Sequence, residues 1–266
     1  MPNYRVATVA AVASLVLAAA CGSGDDNSSG SGSSPAAPRS GGASGTVTVF
    51  AAASLTGSFT TLGRQFEAAH PGTTVKFNFG ASSSLAQNID QGAPADVFAS
   101  ASPKNMQQVV DADGASDSKT FAKNVMQIAV PADNPADVRE VTDLARSNVK
   151  VALCQPQVPC GAVAQQVFQN VNITVKPVTQ GADVKAVLTT VQLGEVDAGM
   201  VYQTDVRAAG TEVKGIEIPA DQNASTSYPI AALTEAPNPA GAAAFVDYVL
   251  SPDGEKVLEQ AGFGAP

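Results

Sequence analysis

Val47 to Thr56 reads V-T-V-F-A-A-A-S-L-T, a short apolar strand that runs into small residues and then a serine. Beyond it Leu55, Phe59, Leu62, Phe66 and Ala69 fall at alternating spacings of four and three, which is one face of a helix. Ser54 therefore sits at a helix start. There its hydroxyl and the unpaired backbone N–H groups of the first turn point the same way, toward anything anionic.

Working outward from this unit, strand-like and helix-like runs alternate to the end of the chain. Strands are expected at Val47–Phe50, Thr74–Phe79, Asp96–Ser100, Met126–Val130, Val149–Leu153, Ile173–Val178, Ala198–Tyr202, Val213–Ile218 and Tyr228–Leu233. Helices are expected at Ser54–His70, Ser83–Gln91, Pro103–Ala112, Cys160–Asn170, Asp183–Leu193, Pro239–Leu250 and Pro252–Ala261. Such alternation predicts an α/β fold with mostly parallel sheets. Nine strands are many for one small doubly wound sheet, so two lobes are expected, with crossings near Gln127–Pro131 and Gly215–Asn223. Lobe 1 would comprise residues 46–128 and 222–266 and lobe 2 residues 129–221, leaving a cleft between them.

Three further helix starts share the chemistry of the first. F-G-A-S-S-S-L-A at Phe79–Ala86 ends a strand, turns at a glycine and offers Ser82 or Ser83 as cap. V-P-C-G at Val158–Gly161 leads into the helix of Val163 and Val167, and Q-G-A-D-V-K at Gln180–Lys185 leads into the helix of Val184, Val187, Leu188 and Val191. Each follows a strand, so in a parallel sheet all four open on one edge, where ligands of such sheets lie. A helix N-terminus presents roughly half a positive charge and free N–H groups. Singly, a serine cap or a glycine turn is ordinary scaffolding; the set makes an anion site without any Lys or Arg.

Of the 266 residues 44% are apolar and 15% charged, a globular composition. Residues 1–20 carry Arg5 and then an uncharged run from Val6 to Ala20, the length of a signal-peptide core rather than a membrane span. Ala19 and Ala20 before Cys21 resemble a bacterial lipobox, in which the cysteine is lipidated. The match departs at Ala18, where leucine is usual, with Leu17 one step earlier. Residues 21–45 are then a lipidated N-terminus and a Gly/Ser-rich tether that cannot build a core. Removing residues 1–20 takes away one basic residue, Arg5, leaving 14 basic and 24 acidic residues and a net charge of -10. With no basic run and no Trp, nucleic-acid binding is excluded.

In order and separation, V-F-A-A-A-S-L-T, F-G-A-S-S-S-L-A, Q-G-A-P-A-D-V-F-A-S, Q-V-P-C-G, A-D-V-K-A-V-L and G-M-V-Y-Q-T-D resemble the periplasmic molybdate-binding proteins of ABC-type uptake systems. The resemblance runs from Thr46 to the C-terminus, including the closing Y-P-I-A and G-F. It implies the two-lobe periplasmic-binding-protein fold of type II, with molybdate, and tungstate with it, held between the lobes. Carried over by position, Ser54 and Ser82 would donate through hydroxyl and backbone N–H, Cys160 and Val184 through backbone N–H, and Tyr202 through its phenol. Cys160 departs from the alanine common in the family, which leaves a backbone role open but changes the local loop. The implied partners are an ABC permease and its ATPase. The implied protein is a monomer without cofactor, lipid-anchored at Cys21 on the extracytoplasmic face of the cell membrane.

Other readings compete with this one. Tyr202 alone would read as a core tyrosine. His70, the only histidine, precedes Pro71 at a helix end and reads as a cap rather than a base. Cys154 and Cys160 lack C-x-x-C spacing and a histidine partner, so a local disulfide is expected over a metal site. A serine hydrolase would need a positioned base and a G-x-S-x-G elbow, and the sequence offers neither. A receptor of the same fold for sulfate remains the alternative. The carried-over groups are all donors, and Asp183, beside Val184, is expected to face away from the anion. Such a site should reject phosphate, whose proton would find no acceptor.

Overall fold

A computed structural model describes residues 43–266. The signal peptide expected at 1–20 and the lipidation at Cys21 lie outside the described residues. The tether read through residue 45 gives way to the fold slightly sooner: Ala43 is buried, its carbonyl accepting from Thr73 Oγ1, and Gly45 opens the first strand.

Strand β1 (Gly45–Ala52) has parallel partners on both sides, β2 (Thr73–Gly80) and β3 (Val97–Ala99). Being central explains its nearly unbroken apolar run, since both faces must be covered. Val47, Val49 and Ala51 pack toward α1 (Thr56–Ala69), α7 (Pro239–Val249) and α8 (Pro252–Ala261). Phe50 packs on the opposite face with Leu85 of α2 (Ser82–Asp90) and Met106 of α3 (Pro103–Asp111). Lobe 2 repeats the plan, with β5 (Val151–Cys154) between parallel partners β6 (Thr179–Gly181) and β7 (Ala198–Tyr202). Its core includes Val167 of α4 (Pro159–Asn170) and Val187 of α5 (Val184–Gln192).

Parallel pairing thus builds the centre of each lobe, whereas the strands that join the lobes run antiparallel. Strand β4 (Lys119–Pro131) pairs through Lys119–Val125 with β9 (Ser225–Ala232) of lobe 1. Through Met126–Pro131 it pairs with β7 and β8 (Val213–Glu217) of lobe 2. The first crossing therefore falls between Val125 and Met126, just ahead of the stretch read from the sequence, inside one unbroken strand. The return crossing spans residues 218–224. The two crossings are tied together: Asn223 Nδ2 donates to Met126 O at 2.9 Å and Met126 N to Ala224 O at 3.3 Å.

One expected strand is displaced, and one helix was not expected. The strand expected at Ile173–Val178 lies instead at Thr179–Gly181. The alternation of I-T-V-K-P-V is real, but Pro177 has no N–H for a ladder, and pairing with β5 begins only after it. A short helix, α6 (Gln203–Ala209), follows β7 directly, where no break in the sequence announces it.

Candidate functional site

One cavity of about 20 Å³ lies between the lobes and is lined by Ser54, Ser82, Cys160, Val184 and Tyr202, all five residues expected from the sequence. Ala52, Ala53, Gly80, Ala81, Ala101, Val158, Pro159 and Asp183 complete its wall, so among the described residues it contains no Lys or Arg. Pockets for drug-sized ligands run roughly 300–1,000 Å³. This one suits something smaller.

Lobe 1 contributes hydroxyls. Ser54 lies in the 3-10 turn Ala53–Leu55 that leads from β1 into α1. Its Oγ is 2.9 Å from Tyr228 Oη, and Asn124 Nδ2 donates to the same phenol at 3.4 Å. With Asn124 donating to Oη, the Tyr228 proton is best placed on Ser54, which leaves the serine proton to donate into the cavity. Ser82 does not cap α2 as the sequence suggested; Ala81 is the cap residue and makes no side-chain bond. Ser82 Oγ instead accepts from Ala101 N at 2.9 Å, tying α2 to the end of β3 and again freeing the hydroxyl proton.

Lobe 2 contributes main chain. The first intrahelical bonds are Ala162 N to Val158 O in α4 and Val187 N to Asp183 O in α5. The earlier N–H groups, Cys160 and Val184 among them, have no carbonyl of their own helix to meet. Leu85 N to Ala81 O likewise leaves the Ser82 N–H outside the α2 ladder. Asp183 caps α5, Oδ1 accepting from Ala186 N at 3.0 Å, so this carboxylate serves its own helix. The loop before α4 is closed by a disulfide between Cys154 and Cys160, as expected. Gly161 follows because a Cβ there would lie 2.0 Å from Gln155 O and 3.0 Å from Cys154 O. Only glycine lets the turn fold back so closely.

Tyr202 ends β7 with its ring buried and its hydroxyl without any hydrogen-bond partner. Burial pushes this phenol well above its ordinary range, and Tyr228 and Asp205 push the same way, so it stays protonated and can act as a donor. A buried hydroxyl left unpaired costs on the order of 1–3 kcal/mol. It lies on the cavity wall, where it can donate to whatever the cavity holds.

Several supporting residues escaped the sequence reading. Asp205, fully buried in α6, accepts from Tyr202 N at 3.1 Å and pairs with Lys185 Nζ at 3.0 Å, a charge contact without hydrogen-bond alignment. Burial raises its pKa, with Lys185 opposing. The signal was an acid three residues after Tyr202, where it can accept from the first N–H of a helix. Tyr228 and Asn124 act through Ser54 from distant strands, and no local pattern marks them. His70 caps α1 as expected, its ring lying tilted against Phe66.

Comparisons with known proteins agree with this geometry. Residues 47–264 match the family described as bacterial extracellular solute-binding protein. The Mycobacterium bovis protein named molybdate-binding protein ModA is similar at 41% identity over 256 residues, 96% of this chain and 94% of that protein. Among solved structures, the periplasmic molybdate-binding protein of Azotobacter vinelandii has a TM-score of 0.75 at 21% identity, covering 83% of this chain and 99% of that one. The sulfate-binding protein SubI of Mycobacterium tuberculosis has a TM-score of 0.71 at 20% identity, covering 82% and 86%. At such identities these two structures speak for the fold, a two-lobe binding protein of type II. Taken with the match along residues 47–264, they lead to one conclusion: the chain belongs to the bacterial extracellular solute-binding proteins.

Proposed function

We propose that the chain captures molybdate, and tungstate with it, in the interlobe cavity and delivers it to an ABC permease driven by its ATPase. The observation that carries this reading is the buried, unpartnered Tyr202 hydroxyl on a small cavity walled by helix starts and free of cations. A tetrahedral dianion would accept from Ser54, Ser82, the Cys160 and Val184 N–H groups and Tyr202 at once. Fixed neutral donors suit an ion that is fully deprotonated near neutral pH. The 41% relative named for molybdate supports this anion over sulfate. Sulfate carries no proton either, and only the longer metal–oxygen bonds of molybdate and tungstate set those ions apart from it. The role is capture rather than turnover, by a monomer that needs no resident cofactor. Cys21 is proposed as the lipid anchor that holds the protein at the cell membrane, and Cys21→Ser should release it.

Calorimetric titration of the purified protein with an anion panel tests the reading. Molybdate and tungstate should bind together, sulfate well behind, and phosphate last. Sulfate binding as tightly as molybdate would replace the reading with its alternative, and phosphate matching sulfate would require an acceptor in the cavity.

A further inference from the structure

Cys160 has two attachments: its N–H belongs to the proposed donor set, and its sulfur is bonded to Cys154, which does not line the cavity. Cys154 ends β5, and the next residue, Gln155, donates from its N–H to Gly181 O at 2.9 Å. Gly181 ends β6, two residues before the Asp183 cap of α5. The bridge therefore braces the turn that presents the Cys160 N–H, and that turn braces the segment that presents the Val184 N–H. Both lobe 2 main-chain donors thus hang on one small unit.

Access to the bridge depends on the lobes. Both cysteines are 3% exposed. Cys160 shares the cavity wall with Ala53 and Ala81 of lobe 1, which belong to the same apolar cluster, so its cavity side faces the opposite lobe. Parting the lobes would uncover Cys160, and a ligand that holds them together would keep it covered.

We propose, on the molybdate reading above, that the Cys154–Cys160 disulfide is a redox-sensitive positioning element of the site, tightening oxyanion binding when oxidised and shielded from reduction by the bound anion. Its reductant is a dithiol. One thiolate attacks a bridge sulfur, the S–S bond breaks, and the departing thiolate takes up a proton. The second thiol of the reductant then resolves the mixed disulfide, so that two electrons and two protons pass to the bridge. Linkage makes the effect reciprocal: whatever factor oxidation adds to anion affinity, the anion adds to the stability of the disulfide against the dithiol.

The experiment uses the purified full chain, with tungstate as the probe because it is the less easily reduced anion and dithiothreitol as the dithiol. Alkylation and peptide mass report the state of Cys154 and Cys160 separately from Cys21. Reduced protein should bind tungstate about tenfold more weakly, the loss of roughly one hydrogen bond to a charged group, and recover on reoxidation. Cys154→Ala, Cys160→Ala and the double variant should all show that same loss, since each removes one shared bridge and keeps the Cys160-position N–H. In the oxidised wild type, saturating tungstate should slow reduction and shift the dithiol equilibrium by about the same tenfold factor. The slowing of reduction needs no folded reduced protein. Unchanged affinity after reduction, or reduction indifferent to saturating tungstate, would overturn the proposal. Failure of oxidised protein to bind either anion would instead overturn the functional reading, and the proposal with it.

Discussion

The two walls of the cavity solve the same problem differently. Lobe 1 offers hydroxyls already engaged with their own lobe, Ser54 with Tyr228 and Ser82 with the Ala101 N–H. Lobe 2 offers two main-chain N–H groups and one phenol without a hydrogen-bond partner among the described residues. Each lobe 1 hydroxyl therefore already has one partner within its own lobe, whereas the Tyr202 hydroxyl has none. Side-chain changes in lobe 1 should disturb folding and binding together. In lobe 2 only Tyr202 and the loop geometry should matter, and mostly for binding.

The sharpest way to break this contrast is to remove one hydroxyl from each of two buried tyrosines. Tyr202→Phe should weaken molybdate binding by roughly one to two decades, from a bond to a charged group worth about 1.5–3 kcal/mol. Without ligand its melting temperature should stay level or rise, because an unpaired buried hydroxyl is gone. Tyr228→Phe should do the opposite, costing about 1 kcal/mol of stability by freeing Ser54 and Asn124 while weakening binding only several-fold. Calorimetry and melting curves on both variants decide it; Tyr202→Phe that melts early and binds normally would sink the distinction.

Ser82→Ala tests the lobe 1 wall directly. It removes a donor to the anion and orphans the Ala101 N–H, so affinity should fall about tenfold and stability by about 1–3 kcal/mol. A loss confined to affinity would mean that the Ala101 contact contributes little.

Val184→Ala probes the lobe 2 main chain. The N–H remains, so molybdate affinity should stay within a factor of about three. The variant should nevertheless lose on the order of 1–2 kcal/mol of stability, because Val184 is buried in the lobe 2 core. A decade lost in titration would show that the valine side chain, rather than its amide, meets the ligand.

The smallest effect concerns Asp205, beneath Tyr202. Its folded pKa is raised by burial above the ordinary value near 3.8, so from that value up to the raised one the folded chain binds more protons than the unfolded chain. The stability this contributes is fully present below the unfolded pKa and is lost as pH rises through the folded pKa. Asp205→Asn keeps an acceptor for the Tyr202 N–H and removes the titration. Its melting temperature should thus vary less with pH above about 4 than that of the parent. Identical slopes would place the acid-range dependence on other groups.

How much of this was legible depends on distance along the chain. The helix starts at Ser54, Ser82, Cys160 and Val184 were readable because a strand, a turn and an apolar helical face fall within about fifteen residues of one another. The first half of β4 was not: only Met126–Val130 was expected as strand, and Lys119–Val125 contains exposed polar residues whose partners lie in β9, a hundred residues later. Nor could spacing alone distinguish Tyr202 from Tyr228. Both end up buried within 6.2 Å of each other, ring to ring.

The sequence by itself determined the alternation of elements, the four helix starts, and the small residues that let main chain approach a ligand. These are local properties, set by periodicity, capping and backbone freedom within one or two turns. Tertiary structure alone decided that four helix starts from two lobes converge on one cavity, that Ser54 and Ser82 have their hydroxyls aimed by Tyr228 and Ala101, and that Tyr202 is left without a partner. Whether a polar group is satisfied depends on what packs against it, and in this fold those neighbours are brought in by strands that cross between the lobes.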